Sequence, residues 1–531
     1  MHPLLFDRRK TSFDRRVIAS KALRVLITGN SRLTIVVMAT GYIAIDLGAE
    51  SGRVIVGVLD AGHLRLEEVH RFIHGPVALP TGLHWDITGI WREITAGLAR
   101  AADWAAAGRV QLISVGVDAW GIDWALLDSA GELVGLPHAY RDPRCGPACE
   151  RALAVLGSEK IYQATGIQIM PINTLFTLYA HHLADPGALA AAQQLLFIPD
   201  LFHYWLSGNR LVEATIASTS QMVDCHTGDW AMDLLNDLGL PTHFLGPISP
   251  PGSSVGTIRP ALAAATGLPT ALRVVTPAAH DTGSAVAAVP GDDGADWCYL
   301  SSGTWSLLGA ELSAPCLSAA AQAAMFTNEL GVAGTTRFLK NIPGLWLVQE
   351  CRRDLAQRGQ DFTYAELTRL AESAEPFRTL VDPAHESFQT PGDMLAKITA
   401  FADTTKQPAP QTPGQFVRTC LESLALAYRE KLADLESILD RRFDRIHIVG
   451  GGGKNTLLCQ MTADATGRRV VVGPHEATAS GNALVQAMAA GEVTDLTELR
   501  KIAANSVDLI VYEPVSTINW EMAQQRFREI A

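Results

Sequence analysis

From Tyr42 onward the apolar positions of the chain change period in a regular order. "YIAIDLG" and "RVIVGVLD" alternate apolar residues with small or polar ones, which predicts two strands joined by a tight turn. "ITGIWREITAGLARAADWAAAG" (87–108) repeats its apolar residues at spacings of three and four, which predicts a helix capped by Asp86. Strands return over 112–133 and end in a turn at 129–131. "SEKIYQATG" and "INTLFTLYAHHLA" read as helices, and "LFIPDLFHYWLSG" as a strand followed by a helix that Gly208 closes. After a Pro/Gly/Ser loop (246–256), residues 273–290 read as strand, polar turn and helix. A second unit with the same alternation opens at Trp297. The proline-rich run 404–415 is expected to be a surface loop, the run 416–439 a long helix, and 445–473 a strand, glycine turn, helix and strand.

The fold class is therefore α/β. The expected division is a domain over 38–290, a second over 291–490 beginning at "GDDGAD" (291–296), and a tail with a helix over 491–531. One echo links the halves: "YIAIDLGAESGRVIVGV" and "CYLSSGTWSLLGAEL" share the plan of apolar strand, small polar turn and apolar strand. Two such hairpins facing each other would grip an anion from both sides.

A chain of 531 residues is too long for one hydrophobic core, in keeping with two domains. Its eight cysteines are scattered and form no Cys-x-x-Cys pair, which points away from a zinc site or disulfide framework and toward a reducing cytoplasm. Net charge is −12, yet the first 37 residues carry eight Lys or Arg against two Asp. The remainder is thus strongly acidic, which argues against nucleic acid and anionic membrane as partners. The basic start followed by an uncharged run (33–45) has the outline of a leader, but that run is too short to span a bilayer and its second half is the first strand. Met38 is the expected start, and 1–37 an extension that is non-native or without fold.

The turn Asp46-Leu-Gly-Ala-Glu-Ser-Gly-Arg53 has the small residues of a phosphate cradle but no lysine, and it brings two carboxylates, Asp46 and Glu50. Backbone N–H groups and a Mg²⁺ ion held at Asp46, directly or through water, would reconcile it with a polyanion. The same residues suit an ordinary hairpin turn. Asp281 in "AAHDTGSAV" follows a strand and opens a helix, a place for a general base and equally for a helix cap. "DAWGIDW" offers Asp118, Trp120, Gly121, Asp123 and Trp124. Alternation along a straight strand would put both tryptophans on one side, against a sugar or in the core. Gly451 and Gly452 permit a close backbone approach or simply make a turn.

These strings, with "GLHWDI", "YRDPR", "TGIQIMPINTLF", "LKNIPGLWLVQE" and "VGGGGKNTLLCQMTADATGRRVVVGPHEATASGN", resemble the FGGY carbohydrate kinases from about Tyr42 to Met488. Several resemble in particular the branch that phosphorylates L-rhamnulose. The resemblance implies two actin-like, ribonuclease-H-like ATPase domains flanking a central cleft. It implies transfer of a phosphoryl group from ATP, with Mg²⁺, to O1 of L-rhamnulose in L-rhamnose catabolism. By the same resemblance Asp281 is the catalytic base, and His280, Thr282, Gly121 and Asn341 meet the sugar; Trp120 is expected beside them on the stacking chemistry of its ring alone. Ala49, Glu50, Ser51, Gly52, Arg53, Thr304, Gln349, Gly451 and Gly452 are implied at the nucleotide, and Asp46 at the metal. A kinase for xylulose, fuculose or a related polyol is the neighbouring alternative. An actin-like ATP switch, which would not need Asp281 and its sugar-side neighbours, is the distant one.

Overall fold

The apolar alternation after Thr40 folds into an antiparallel meander. Thr40–Leu47 pairs with Ser51–Asp60, which pairs with His63–Ile73. The structure, a computed structural model, describes residues 23–28, 32–37, 39–291, 296–515 and 518–530. Within the expected N-terminal extension, Leu23–Thr28 and Arg32–Val37 pair as a two-stranded hairpin. Its residues 1–22 and 29–31, like 292–295 of the expected domain junction, lie outside the described residues.

On the other side of Thr40–Leu47 lies the parallel strand Gln111–Ala119. Beyond it come Arg273–Val275, also parallel, and Ser254–Thr257, antiparallel. The second lobe repeats this plan. Trp297–Ser302, Trp305–Leu312 and Thr336–Pro343 form the meander, with Thr327–Leu330 at its edge. Arg445–Val449 and Arg469–Val472 then add in parallel, and Ile510–Tyr512 closes the far edge. The sequence echo between the two hairpins is thus a repeated topology: each is the first hairpin of a ribonuclease-H-like sheet.

Every residue of Thr40–Leu47 is buried, because helices cover both faces of the sheet. On one side Ile87–Gly108 turns Ile87, Ile90, Ile94, Leu98, Ala101 and Ala105 inward. Asp86 caps it, accepting the Gly89 N–H at 2.9 Å. On the other side packs Ala477–Ala489, a helix from the second half of the sequence. It meets the first lobe through polar bonds as well: Gln486 donates to the Ile43 carbonyl at 2.9 Å and accepts from Ser114 at 2.7 Å.

Two local expectations change. The long helix begins at Pro413, inside the run expected as loop, because a proline at the first helical position lacks only a hydrogen bond that the helix does not make there. Thr412 caps it through the Gln415 N–H. The strand through "DAWGIDW" is not straight. It stops at Ala119, and Trp124–Leu127 pairs instead with Gln194–Phe197 in a separate small sheet. Trp120 and Trp124 therefore part company: Trp120 lines the cleft, while Trp124 is buried and donates to Thr177. Among the described residues no helix is long and apolar enough to cross a membrane.

Candidate active site

The two lobes enclose a cleft of about 750 Å³, within the range of ligand pockets. Its walls come from the ends of the two central hairpins and the loops that follow the parallel strands, where such sheets place their ligands. The first hairpin contributes Ala49, Glu50 and Ser51, and the second contributes Thr304. The facing anion-gripping turns expected from the sequence echo thus open onto one space.

Asp281 is the first residue of the helix Asp281–Ala287. His280, not Asp281, holds the cap position, and its side chain makes no capping hydrogen bond. The Asp281 carboxylate keeps 29% of its surface open to the cleft, and its Oδ1 accepts the Thr282 N–H at 2.5 Å. Enclosure in the cleft, and then the Asp46 carboxylate, push its carboxyl above the usual range. The segment ahead of it is pinned: Glu213, fully buried, accepts the Ala279 N–H at 3.1 Å, and Thr215 Oγ1 accepts the His280 N–H at 3.1 Å.

Behind His280 the second lobe supplies a buried ion pair. Glu329 Oε2 lies 3.1 Å from His280 Nδ1 and 2.9 Å from Nη1 of Arg337, a fully buried arginine. His280 Nε2 in turn lies 3.5 Å from Asp281 Oδ1. Burial would raise the Glu329 carboxyl, but Arg337 and His280 overcome it and hold the group below the ordinary range. Nothing in the local sequence marks Glu329, Arg337 or Glu213, since each acts through residues from distant segments.

Asp46 and Asp118 sit side by side in register on neighbouring strands. Arg53 reaches both Asp46 and Glu476. Asp118 is fully buried; Asn482 bonds its Oδ2, whereas Oδ1 has no hydrogen-bond partner among the described residues. Burial, then the Asp46 charge, push the Asp118 carboxyl well above its usual range. Buried oxygen without a donor beside a second carboxylate suits a divalent cation. Among the described residues no three acidic, His or Cys side chains converge on one point, so a cation here would rely on water and phosphate for most of its ligands.

Ala49, Glu50, Ser51, Trp120, Gly121, His280, Asp281, Thr282, Thr304, Asn341, Gln349 and Gly451 all line the cleft. Thr304 and Gln349 are joined by a 3.1 Å hydrogen bond, and Asn341 approaches Gln168 at 3.4 Å. Asp46, Arg53, Gly52 and Gly452 stand behind the lining. For the two glycines packing gives the reason: a Cβ at Gly52 would lie 2.3 Å from the Phe72 ring, and one at Gly452 would lie 2.0 Å from Ser302 Oγ. The Glu50 carboxylate turns away from Asp46 and meets Arg353 of the other lobe.

The chain matches the N-terminal domain of the FGGY family of carbohydrate kinases over residues 41–288 and the C-terminal domain of that family over 298–490. It belongs to the FGGY family of carbohydrate kinases. It is similar to rhamnulokinases from Bacteroides thetaiotaomicron (42% identical, covering 92% of this chain and 99% of that one) and Bacillus subtilis (36%, 89% and 95%). Among solved structures, a xylulose kinase from Rhodospirillum rubrum superposes with a TM-score of 0.72 at 20% identity, covering 92% of this chain and 97% of that one. Plasmodium falciparum glycerol kinase with ADP superposes with a TM-score of 0.74 at 15%, covering 93% and 97%. At such identities they speak for the fold, the two-lobed FGGY architecture with its cleft.

Proposed function

We propose that the protein transfers the γ-phosphoryl group of ATP to O1 of L-rhamnulose, giving L-rhamnulose 1-phosphate and ADP, in the cytoplasm. The observation that carries this reading is Asp281. Its carboxylate opens into a cleft whose far wall holds the Thr304–Gln349 pair, and the flanking His280 and Thr282 line the same space. The full-length likeness to rhamnulokinases points to the ketose.

Asp281 accepts the hydroxyl proton as the sugar oxygen bonds to phosphorus and the bond to the β-phosphate oxygen breaks. Its raised proton affinity suits that role. His280, braced by Glu329 and Arg337, keeps the carboxylate facing the sugar. The turn 48–51 and the Thr304 turn offer N–H and hydroxyl donors to the phosphates from opposite lobes. Asp46 and Asp118 would hold Mg²⁺, largely through water. That ion, when bound, neutralises charge on the phosphates.

The test is release of ADP with a panel of ketoses and polyols in the presence of Mg²⁺. Turnover with L-rhamnulose well above xylulose, fuculose and glycerol is expected. Comparable hydrolysis without any sugar would instead mark an ATP switch.

A further inference from the structure

Ile122, inside "WGIDW", has a φ of 69°. A β-branched residue takes that left-handed backbone only where its surroundings enforce it. Two hydroxyls do so: Thr219 Oγ1 accepts the Ile122 N–H at 3.0 Å, and Thr174 Oγ1 donates to the Ile122 carbonyl at 2.6 Å. The consequence is that Asp123 turns inward beneath the cleft wall, 2% exposed.

There a single oxygen, Oδ2, accepts the indole N–H of Trp85 at 2.6 Å and that of Trp120 at 2.9 Å. The backbone N–H of Tyr140 faces the same carboxylate and favours its charged form. The two indoles lie 4.3 Å apart at 41°, with the Tyr140 ring 6.5 Å beyond Trp85. These aromatics come from three separate segments, and all three line the cleft. Burial pushes the Asp123 carboxyl up to about 7 despite its donors. An apolar side chain would avoid that desolvation cost, so the carboxylate serves orientation rather than stability.

We infer that Asp123 is a positioning residue that fixes the Trp85 and Trp120 indoles, with the Tyr140 ring packed beside Trp85, as one aromatic wall, and that this wall receives the C–H-rich face of the sugar. The inference rests on the ketose kinase reading above. Indole faces pack against C–H surfaces, whereas a rotated ring presents a polar edge and leaves a gap. Asp123 does not touch the reacting groups, so its loss acts on sugar binding and spares both nucleotide binding and the chemical step.

The experiment compares the wild-type chain with Asp123→Leu and Asp123→Asn in ketose kinetics, ADP binding and tryptophan emission. Asp123→Leu removes both charge-assisted bonds and should raise the ketose KM about tenfold or more. Its kcat should change less than about threefold and its Kd for ADP less than about twofold, changes too small to reflect a lost charge-assisted bond. The sugar-induced change in tryptophan emission should disappear. Asp123→Asn keeps a neutral acceptor, with bonds roughly half as strong, so its KM should rise only about threefold and its emission response should persist. A wild-type KM in the leucine variant, or equal weakening of sugar and ADP, overturns the inference. If the leucine variant does not fold, the asparagine variant decides: a selective rise in ketose KM supports the inference, and an unchanged KM overturns it. Absence of any ketose turnover by the wild-type chain is a separate failure, which removes the functional reading and this inference with it.

Discussion

Glu50 and Arg353 join the two lobes across the mouth of the cleft: both Glu50 carboxylate oxygens lie within 3.2 Å of Arg353 Nη2. Glu50 belongs to the first hairpin turn, and Arg353 to the helix Trp346–Gln357 that also carries Gln349. Both side chains are about half exposed, so the pair is worth only about 0.2–1 kcal/mol. That is small for folding but large enough to bias a closure equilibrium up to about fivefold. Glu50→Ala should therefore leave the unfolding midpoint nearly unchanged while raising the KM of both substrates by a few fold. The wild-type advantage should shrink in high salt. Kinetics at two ionic strengths check it; identical KM values in both proteins would show that the contact has no part in closure.

Asp281→Asn keeps the side chain's size and removes its charge. Turnover should fall by about 10²–10⁴, the usual contribution of a general base, with ADP still bound. Single-turnover measurements separate chemistry from release, and near-normal turnover would take Asp281 out of the mechanism.

Glu329→Gln leaves Arg337 fully buried without its counter-charge, at a cost of about 3–5 kcal/mol in unfolding free energy. Because the Glu329 carboxyl is held below its ordinary value, its contribution is complete above the unfolded-state pKa of about 4.3 and fades as pH drops through the folded-state value. Denaturant titrations of both proteins should show a constant difference from neutral pH down to about 5 and a shrinking one in acid. A difference that grows in acid would contradict the pairing.

Gly481 lies where the helix Ala477–Ala489 crosses the helix of Asp281. A Cβ there would fall 1.8 Å from the Ser284 backbone oxygen, so the helices must separate to admit it. Gly481→Ala should cost about 1–3 kcal/mol, as overpacking does, and should lower kcat because Asp281 moves with its helix. Unaltered stability together with unaltered turnover would refute the contact.

The α/β order of elements, the repeated hairpin that opens each lobe, the Asp86-capped helix and the string in which Asp281 stands were legible from the chain alone. Those features depend on periodicity and on residues a few positions apart, which local backbone geometry converts directly into structure. It took long-range packing to set Glu50 against Arg353, 303 positions away, and Asn482 against Asp118 across 364. The same packing decided that Trp120 and Trp124 separate at a strained Ile122, and that the Phe72 ring leaves no room for a Cβ at Gly52. The physical reason is that an apolar period states which face of an element is buried, whereas the partner buried against it is set by how the lobes pack.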